Sequence, residues 1–152
     1  MFRKCRICKS RKLKKVFSLG KQPLANNFIK SKDEKEKLYP LDLYECQHCT
    51  LLQLGHVVSK EKLYDEYTYI PSVSKVYLDH FENLSKKLID QLKLKSKSLV
   101  VDIGGSDGSF LSCFWKKDMR VVNVEPAKNI KCIFPTLKLY FDKKTARKIK
   151  RK

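Results

Sequence analysis

Two C-x-x-C pairs constrain this chain more than any other feature in it. Cys5 and Cys8 stand in CRIC, Cys46 and Cys49 in CQHC. Each spacing lets one tight turn aim two sulfurs at a common centre, and two such turns complete the tetrahedral four-sulfur shell that zinc takes in structural sites. The alternatives are small buried residues or a redox pair. Four thiolates leave no position open for water, so a zinc held this way secures the fold and does no chemistry. His48 lies inside the second pair and is available in place of Cys46 or Cys49; the regular cysteine spacing instead makes it a turn residue facing solvent. Cys113 and Cys132 stand alone among apolar residues and read as packing. A small region poor in large apolar side chains buries too little surface to offset chain entropy, whereas structural zinc contributes roughly 10 kcal/mol of apparent binding energy. Removing the metal is expected to unfold it.

The stretch from Met1 to Lys15 is basic and lacks the apolar centre of a signal peptide, and no run approaches the ~20 apolar residues that span a bilayer. The expectation is a cytoplasmic chain with no membrane partner and with its thiols reduced. Across 152 residues, 34 Lys and Arg oppose 16 Asp and Glu, a formal charge of +18. That balance admits nucleic acid as a partner. The lysines are nevertheless scattered along the whole length, which favours solvated surface over one binding patch.

Composition divides the chain into three. Residues 1–58 hold the cysteine pairs, the turn-rich GKQPLANNF and the charged SKDEKEK, and are expected to form an α+β zinc-binding domain of short strands and loops. Residues 59–95 turn helical: Tyr77, Phe81, Leu84, Leu88 and Leu92 recur at three- and four-residue spacing, leaving Lys86, Lys87 and Asp90 for water, as in a helical linker. Residues 96–152 open with a strand at Leu99 to Ile103, a glycine turn, a helix through Trp115 and a second strand from Arg120 to Val124. This is a β-α-β unit, the start of a partial α/β, Rossmann-like domain. The basic tail DKKTARKIKRK is compatible with a helix.

In VVDIGGSDG the first strand delivers Asp102 to its carboxyl end, where open α/β sheets bind ligands. Gly104, Gly105 and Gly108 let the backbone turn and approach a ligand closely. About twenty residues further on, Glu125 ends the second strand, the usual place for an acid that accepts ribose hydroxyls. The turn lacks the G-x-G-x-x-G of dinucleotide folds, with Ser106 and Asp107 in its interior. It suits S-adenosylmethionine, a nucleoside without phosphate whose sulfonium and ammonium groups can face Asp102 or Asp107. The alternative is an ordinary β-α turn whose glycines serve packing.

Taken in order, CRIC, LGKQPLANNF, YPLDLYECQHCTLLQLGHVV, LYDEYTYIPSVS, VVDIGGSDGSFL and NVEPAKNI resemble the zinc-containing C-methyltransferases that act on nucleotide-linked deoxysugars. The resemblance covers nearly the whole chain. It implies a four-cysteine zinc domain followed by a class I methyltransferase unit, S-adenosylmethionine as cofactor, and methyl transfer to the carbon beside a sugar ketone after a proton is removed there. Carried over, the zinc ligands are Cys5, Cys8, Cys46 and Cys49, and the cofactor residues are Asp102, Gly104, Gly105, Ser106, Asp107, Gly108, Glu125 and Pro126. Tyr67, Tyr69, Ser72, Ser74 and His80 resemble the segment on the substrate side. Read without the resemblance, the same cluster is a helix cap and an amphipathic face.

Three departures stand out. The family's histidine-rich catalytic segment has no counterpart before Lys152, so the expectation is the amino-terminal portion of an enzyme, truncated or completed by another polypeptide, with its catalytic residues unassigned. Between Ile130 and Pro135 only KCIF remains, although a parallel crossover usually includes a helix, so that helix is expected to be missing. The family more often places asparagine where Ser106 stands. An edge left bare on the sheet is expected to promote self-association. Two other readings stay open: a basic zinc-ribbon module that binds RNA, and an interaction protein that keeps the fold without activity.

Overall fold

The computed structural model describes residues 3–150. Two compact units divide the chain, residues 1–63 and residues 64–152.

The first unit is built on an antiparallel sheet in the order β1 (Leu13–Gln22), β2 (Tyr39–Cys46), β3 (Leu52–Leu54). The sequence suggests a turn at GKQP, yet β1 continues to Gln22. It does so through irregular register between Ser18 and Lys21, where Gly20 takes a φ of 70°. Such a bulge lets a strand run past a residue that cannot pair regularly. Leu13 faces Cys46, and Lys15, Tyr44 and Gln53 stand in one row. Tyr44, Cys46, Gln53 and Cys5 are buried, so this face turns toward the cysteines. Gly55 fits under Tyr44 because it has no side chain: a Cβ there would lie 2.3 Å from the ring. A five-residue helix, α1 (Lys60–Tyr64), follows.

The second unit begins with a 3-10 turn at Pro71–Val73 and then α2 (Lys75–Gln91). The three-strand sheet that follows is wholly parallel, in the order β4 (Leu99–Ile103), β5 (Arg120–Val124), β6 (Thr136–Leu137). Helix α3 (Ser109–Trp115) connects β4 to β5. The connection from β5 to β6 contains no helix, as the short KCIF stretch leads one to expect. Successive residues of β5 point to opposite faces. Val121 joins Leu111, Phe114, Met119 and Phe134 in a cluster with Leu88 and Ile89 of α2, while Val122 and Val124 pack with Ile149 of α4 (Lys143–Lys150). Helices therefore cover both faces of the sheet. Each fully buried Leu, Val or Phe stabilises this core by roughly 1.5–3 kcal/mol.

Where the sequence sets residues 59–95 apart as a linker, α2 packs its Leu88 and Ile89 onto the core of the second unit. Its apolar stripe is interrupted by Ser85, which is fully buried and donates its hydroxyl to the Glu82 carbonyl at 2.8 Å. Helix α4 turns Thr145 and Ile149 inward, and Asp142 caps it by accepting from Thr145 N–H at 2.8 Å. The basic tail is thus helical up to Lys150; Arg151 and Lys152 lie outside the described residues. No helix among the described residues is long and apolar enough to cross a membrane.

Candidate functional site

The two cysteine pairs form matching knuckles. In the first, Lys9 N–H donates to the Cys5 carbonyl at 3.2 Å and Cys5 N–H to Ser10 at 2.7 Å; in the second, Thr50 N–H donates to Cys46 at 2.8 Å and Cys46 N–H to Leu51 at 2.9 Å. The residue after each second cysteine is left-handed, Lys9 at φ 64° and Thr50 at φ 59°. The resulting turns bring all four Sγ atoms within 4.8 Å of one another. Cys5 Sγ lies 3.6 Å from Cys49 and Cys8 Sγ 3.5 Å from Cys46. Both distances far exceed the ~2.05 Å of a disulfide. They approach the edge of about 3.8 Å that a tetrahedron with Zn–S bonds of ~2.3 Å requires. The donor set and its spacing therefore fit zinc.

The thiols also share their protons unequally. Burial alone would push the Cys5 thiol up, but backbone N–H groups of Cys8 and Ile7 and the neighbouring sulfurs outweigh it and bring the thiol down to about 6. At Cys8 the Ser10 backbone favours the thiolate, yet burial and the three surrounding sulfurs prevail and push it up to about 12. His48 is exposed in its turn, as read from the sequence. Gln53 was not singled out from sequence. It accepts from Arg6 N–H at 2.9 Å and donates to the Lys4 carbonyl at 3.4 Å, fixing the backbone on both sides of Cys5.

In the second unit the bend after β4 is tied down at successive residues. Gly104 N–H donates to the Val124 carbonyl at 2.8 Å, Ser106 N–H to Glu125 Oε2 at 3.0 Å, and Asn123 Nδ2 to the Ser106 carbonyl at 2.9 Å. Gly105 is required by close approach, since a Cβ there would meet Asn123 Oδ1 at 2.6 Å and the Asp102 carboxyl at 2.8 Å. Gly108 combines a φ of 82° with a Cβ position 2.6 Å from Cys132 Sγ. The Ser106 hydroxyl and Asn123 Oδ1 are buried without a hydrogen-bond partner among the described residues.

Two openings meet at this bend. One, of about 370 Å3, is lined by Gly104, Ser106, Glu125, Pro126 and four aromatic residues, Tyr64, Tyr67, Tyr140 and Phe141. The other, of about 170 Å3, is lined by Asp102, the bend from Gly104 to Asp107, Pro71, Phe81 and Phe110. The acids differ in state. Burial, and then the charge of Glu125, raise the Asp102 carboxyl above its ordinary range, and it makes no hydrogen bond among the described residues. Burial would do the same to Asp107, but hydrogen bonds from Ser109 and Ser72 outweigh it and hold that carboxyl below the ordinary range. Glu125 accepts from Ser106 N–H on one oxygen and from Ala127 N–H, at 2.8 Å, on the other. It fixes the bend as well as facing the opening.

The substrate-side candidates separate. Tyr67 lines the larger opening, and Ser72 donates its N–H to Asp107 at 3.1 Å. Tyr69 stacks edge-on to Tyr77 at 5.9 Å; burial, then the Tyr77 hydroxyl, raise its own hydroxyl further above its ordinary range, so it stays protonated at neutral pH. Ser74 precedes α2 without capping it through its side chain. His80 is exposed on α2 beside Phe81 and lines neither opening. Tyr64, Tyr140 and Phe141 were not singled out from sequence: Tyr64 ends a helix of only five residues and the other two lie in irregular chain, so none carries a periodic signal.

A four-cysteine metal centre and a parallel α/β unit with a glycine bend define the class. Residues 5–64 match the family described as "Putative zinc binding domain" of methyltransferases. Over 128 residues the chain is 34% identical to the C-methyltransferase NovU of Streptomyces niveus, an alignment covering 83% of this chain and 30% of that relative. This alignment is too long to be confined to the zinc-binding part. The likeness to zinc-containing C-methyltransferases thus rests on both parts of the chain, which spans 30% of the length of the curated relative.

Proposed function

We propose that this chain binds S-adenosylmethionine at the bend after β4, in a Rossmann-like methyltransferase unit, and serves C-methylation of a nucleotide-linked keto-deoxysugar. The observation that carries the reading is Asp102: it lines the smaller opening and makes no hydrogen bond among the described residues, and burial and then the charge of Glu125 disfavour its ionised form, a cost that a cation relieves. The residues present fit the cofactor. Asp102 stands at one opening and Glu125 and Pro126 at the other, and Gly104 and Ser106 line both. When bound, S-adenosylmethionine supplies an electrophilic methyl group. Asp102 would balance its positive charge, the bare backbone at Gly105 would admit close approach, and Glu125 would accept hydroxyl donors on its remaining lone pairs. The four cysteines would hold zinc as a structural centre. The likeness to a C-methyltransferase supports C-methylation.

Calorimetric titration with S-adenosylmethionine tests the cofactor: binding is expected, and its loss in Asp102→Asn supports the charge argument. No binding by the zinc-loaded chain overturns the reading. A second reading draws on α4, whose Lys143, Lys144, Arg147, Lys148 and Lys150 are all exposed while Thr145 and Ile149 face inward. Such a face suits a polyanion, and RNA affinity falling steeply with added salt would favour it.

A further inference from the structure

Tyr67 reaches the larger opening from irregular chain, so side chains must hold that segment in place. Asn129, on the connection between β5 and β6, does so with both ends of its amide. It accepts from Tyr67 N–H at 2.9 Å and donates Nδ2 to the Tyr67 carbonyl at 2.8 Å. Its neighbour continues the contact: Lys128 N–H donates to the Asp65 carbonyl at 2.8 Å, and the Lys128 ammonium lies 2.7 Å from Asp65 Oδ2. From a third stretch, the Tyr140 hydroxyl donates to Asp65 Oδ1 at 3.1 Å.

The chemistry of residue 129 is specific. A primary amide presents a donor and an acceptor side by side in one plane, which matches the N–H and C=O of a single residue. An ionised carboxylate accepts but cannot donate, and alanine does neither. Tyr64 and Tyr67, whose rings are 6.3 Å apart, form the wall carried by this segment, and Glu125 lies on the same opening.

We infer that Asn129 is a positioning residue: its reciprocal amide pair with the Tyr67 backbone fastens the tyrosine wall beside the Gly104–Glu125 opening and thereby sets the affinity of that opening for its nucleoside ligand. The affinity clause rests on the proposed cofactor; the fastening does not. Tyr64 and Tyr67 act through their placement, and Asn129 acts through Tyr67 without touching the ligand.

The test uses the zinc-loaded full chain with two readouts, hydrogen exchange at the Tyr67 amide and calorimetric titration with S-adenosylhomocysteine. In Asn129→Ala, Tyr67 exchange is expected to rise and affinity to fall, each about tenfold, the scale of losing hydrogen bonds of this kind. The variant should still melt cooperatively, lower by only the few degrees that such a loss costs, and Val121–Val124 should still exchange far more slowly than Tyr67, which separates positioning from loss of fold. Asn129→Asp keeps the acceptor and loses the donor, and should fall between. Unchanged Tyr67 exchange in Asn129→Ala overturns the inference, as does faster exchange with undiminished affinity. If the wild type fails to bind S-adenosylhomocysteine, the cofactor reading falls, and the exchange at Tyr67 alone decides whether Asn129 fastens the segment.

Discussion

Gln53 shows how far a single residue can depart from its sequence pattern. In LQL, simple alternation puts the leucines inside and the glutamine in water. The structure does the reverse, with Leu52 and Leu54 exposed and Gln53 only 5% exposed. The buried face of this sheet is the one turned to the cysteines, where a backbone needing both a donor and an acceptor suits an amide better than an alkyl group. Gln53→Ala is expected to weaken zinc binding by about 10- to 100-fold, the usual effect of removing a group that orients metal ligands; competition against a chromophoric chelator measures it. Asp102 gives a second residue-scale prediction. Its folded carboxyl titrates above the unfolded one, because burial and then Glu125 disfavour the charge. The stability it contributes is fully present below the ordinary carboxylate range and is lost as pH rises through the raised value. Asp102→Asn, neutral throughout, should therefore match the wild type in acid and melt a few degrees higher near neutral pH. Melting curves at several pH values decide this, and a gain confined to acid would contradict it.

At the scale of elements, the strand, turn, helix and strand from Leu99 to Val124 were legible because hydrophobic runs, glycines and spacing all point to one arrangement. The cysteine knuckles were legible for the same reason. The extent of β1 was not, since a bulge at Gly20 looks in sequence like a turn. Nor was the means of closing the β5–β6 connection. A helix there would satisfy its own carbonyls; without one, the Lys138 ammonium reaches the carbonyls of Ala127, at 2.7 Å, and Ile130. Nothing in KLYF marks that lysine among so many others. Lys138→Met keeps the aliphatic stem and removes the donors, and should cost about 1.5–3 kcal/mol, the range for hydrogen bonds made by a charged group. Denaturant unfolding of the full chain measures the loss. A lysine on an exposed helix face, Lys144→Met for instance, should change stability far less.

The whole molecule sets an attractive edge against a repulsive charge. β4 bonds to β5 on one side, and no strand lies on its other side among the described residues. Leu99 at its start is 39% exposed, and the strand LVVDI has no lysine to blunt pairing. Edges of this kind recruit other strands. A formal charge of +18 on every copy opposes that recruitment at long range, and salt screens it over a Debye length of about 10 Å at 0.1 M. Self-association should therefore strengthen as salt is added, opposite in sign to RNA binding through the same lysines, which salt weakens by returning counterions. Sedimentation velocity across a salt series separates the two. The expected result is a growing share of dimers and larger species with salt in the wild type, suppressed by Leu99→Lys, which places a charge on the edge strand without touching either opening at the bend. A wild type that remains monomeric throughout, or a Leu99→Lys variant that associates equally well, would show that β4 is not the surface through which copies meet.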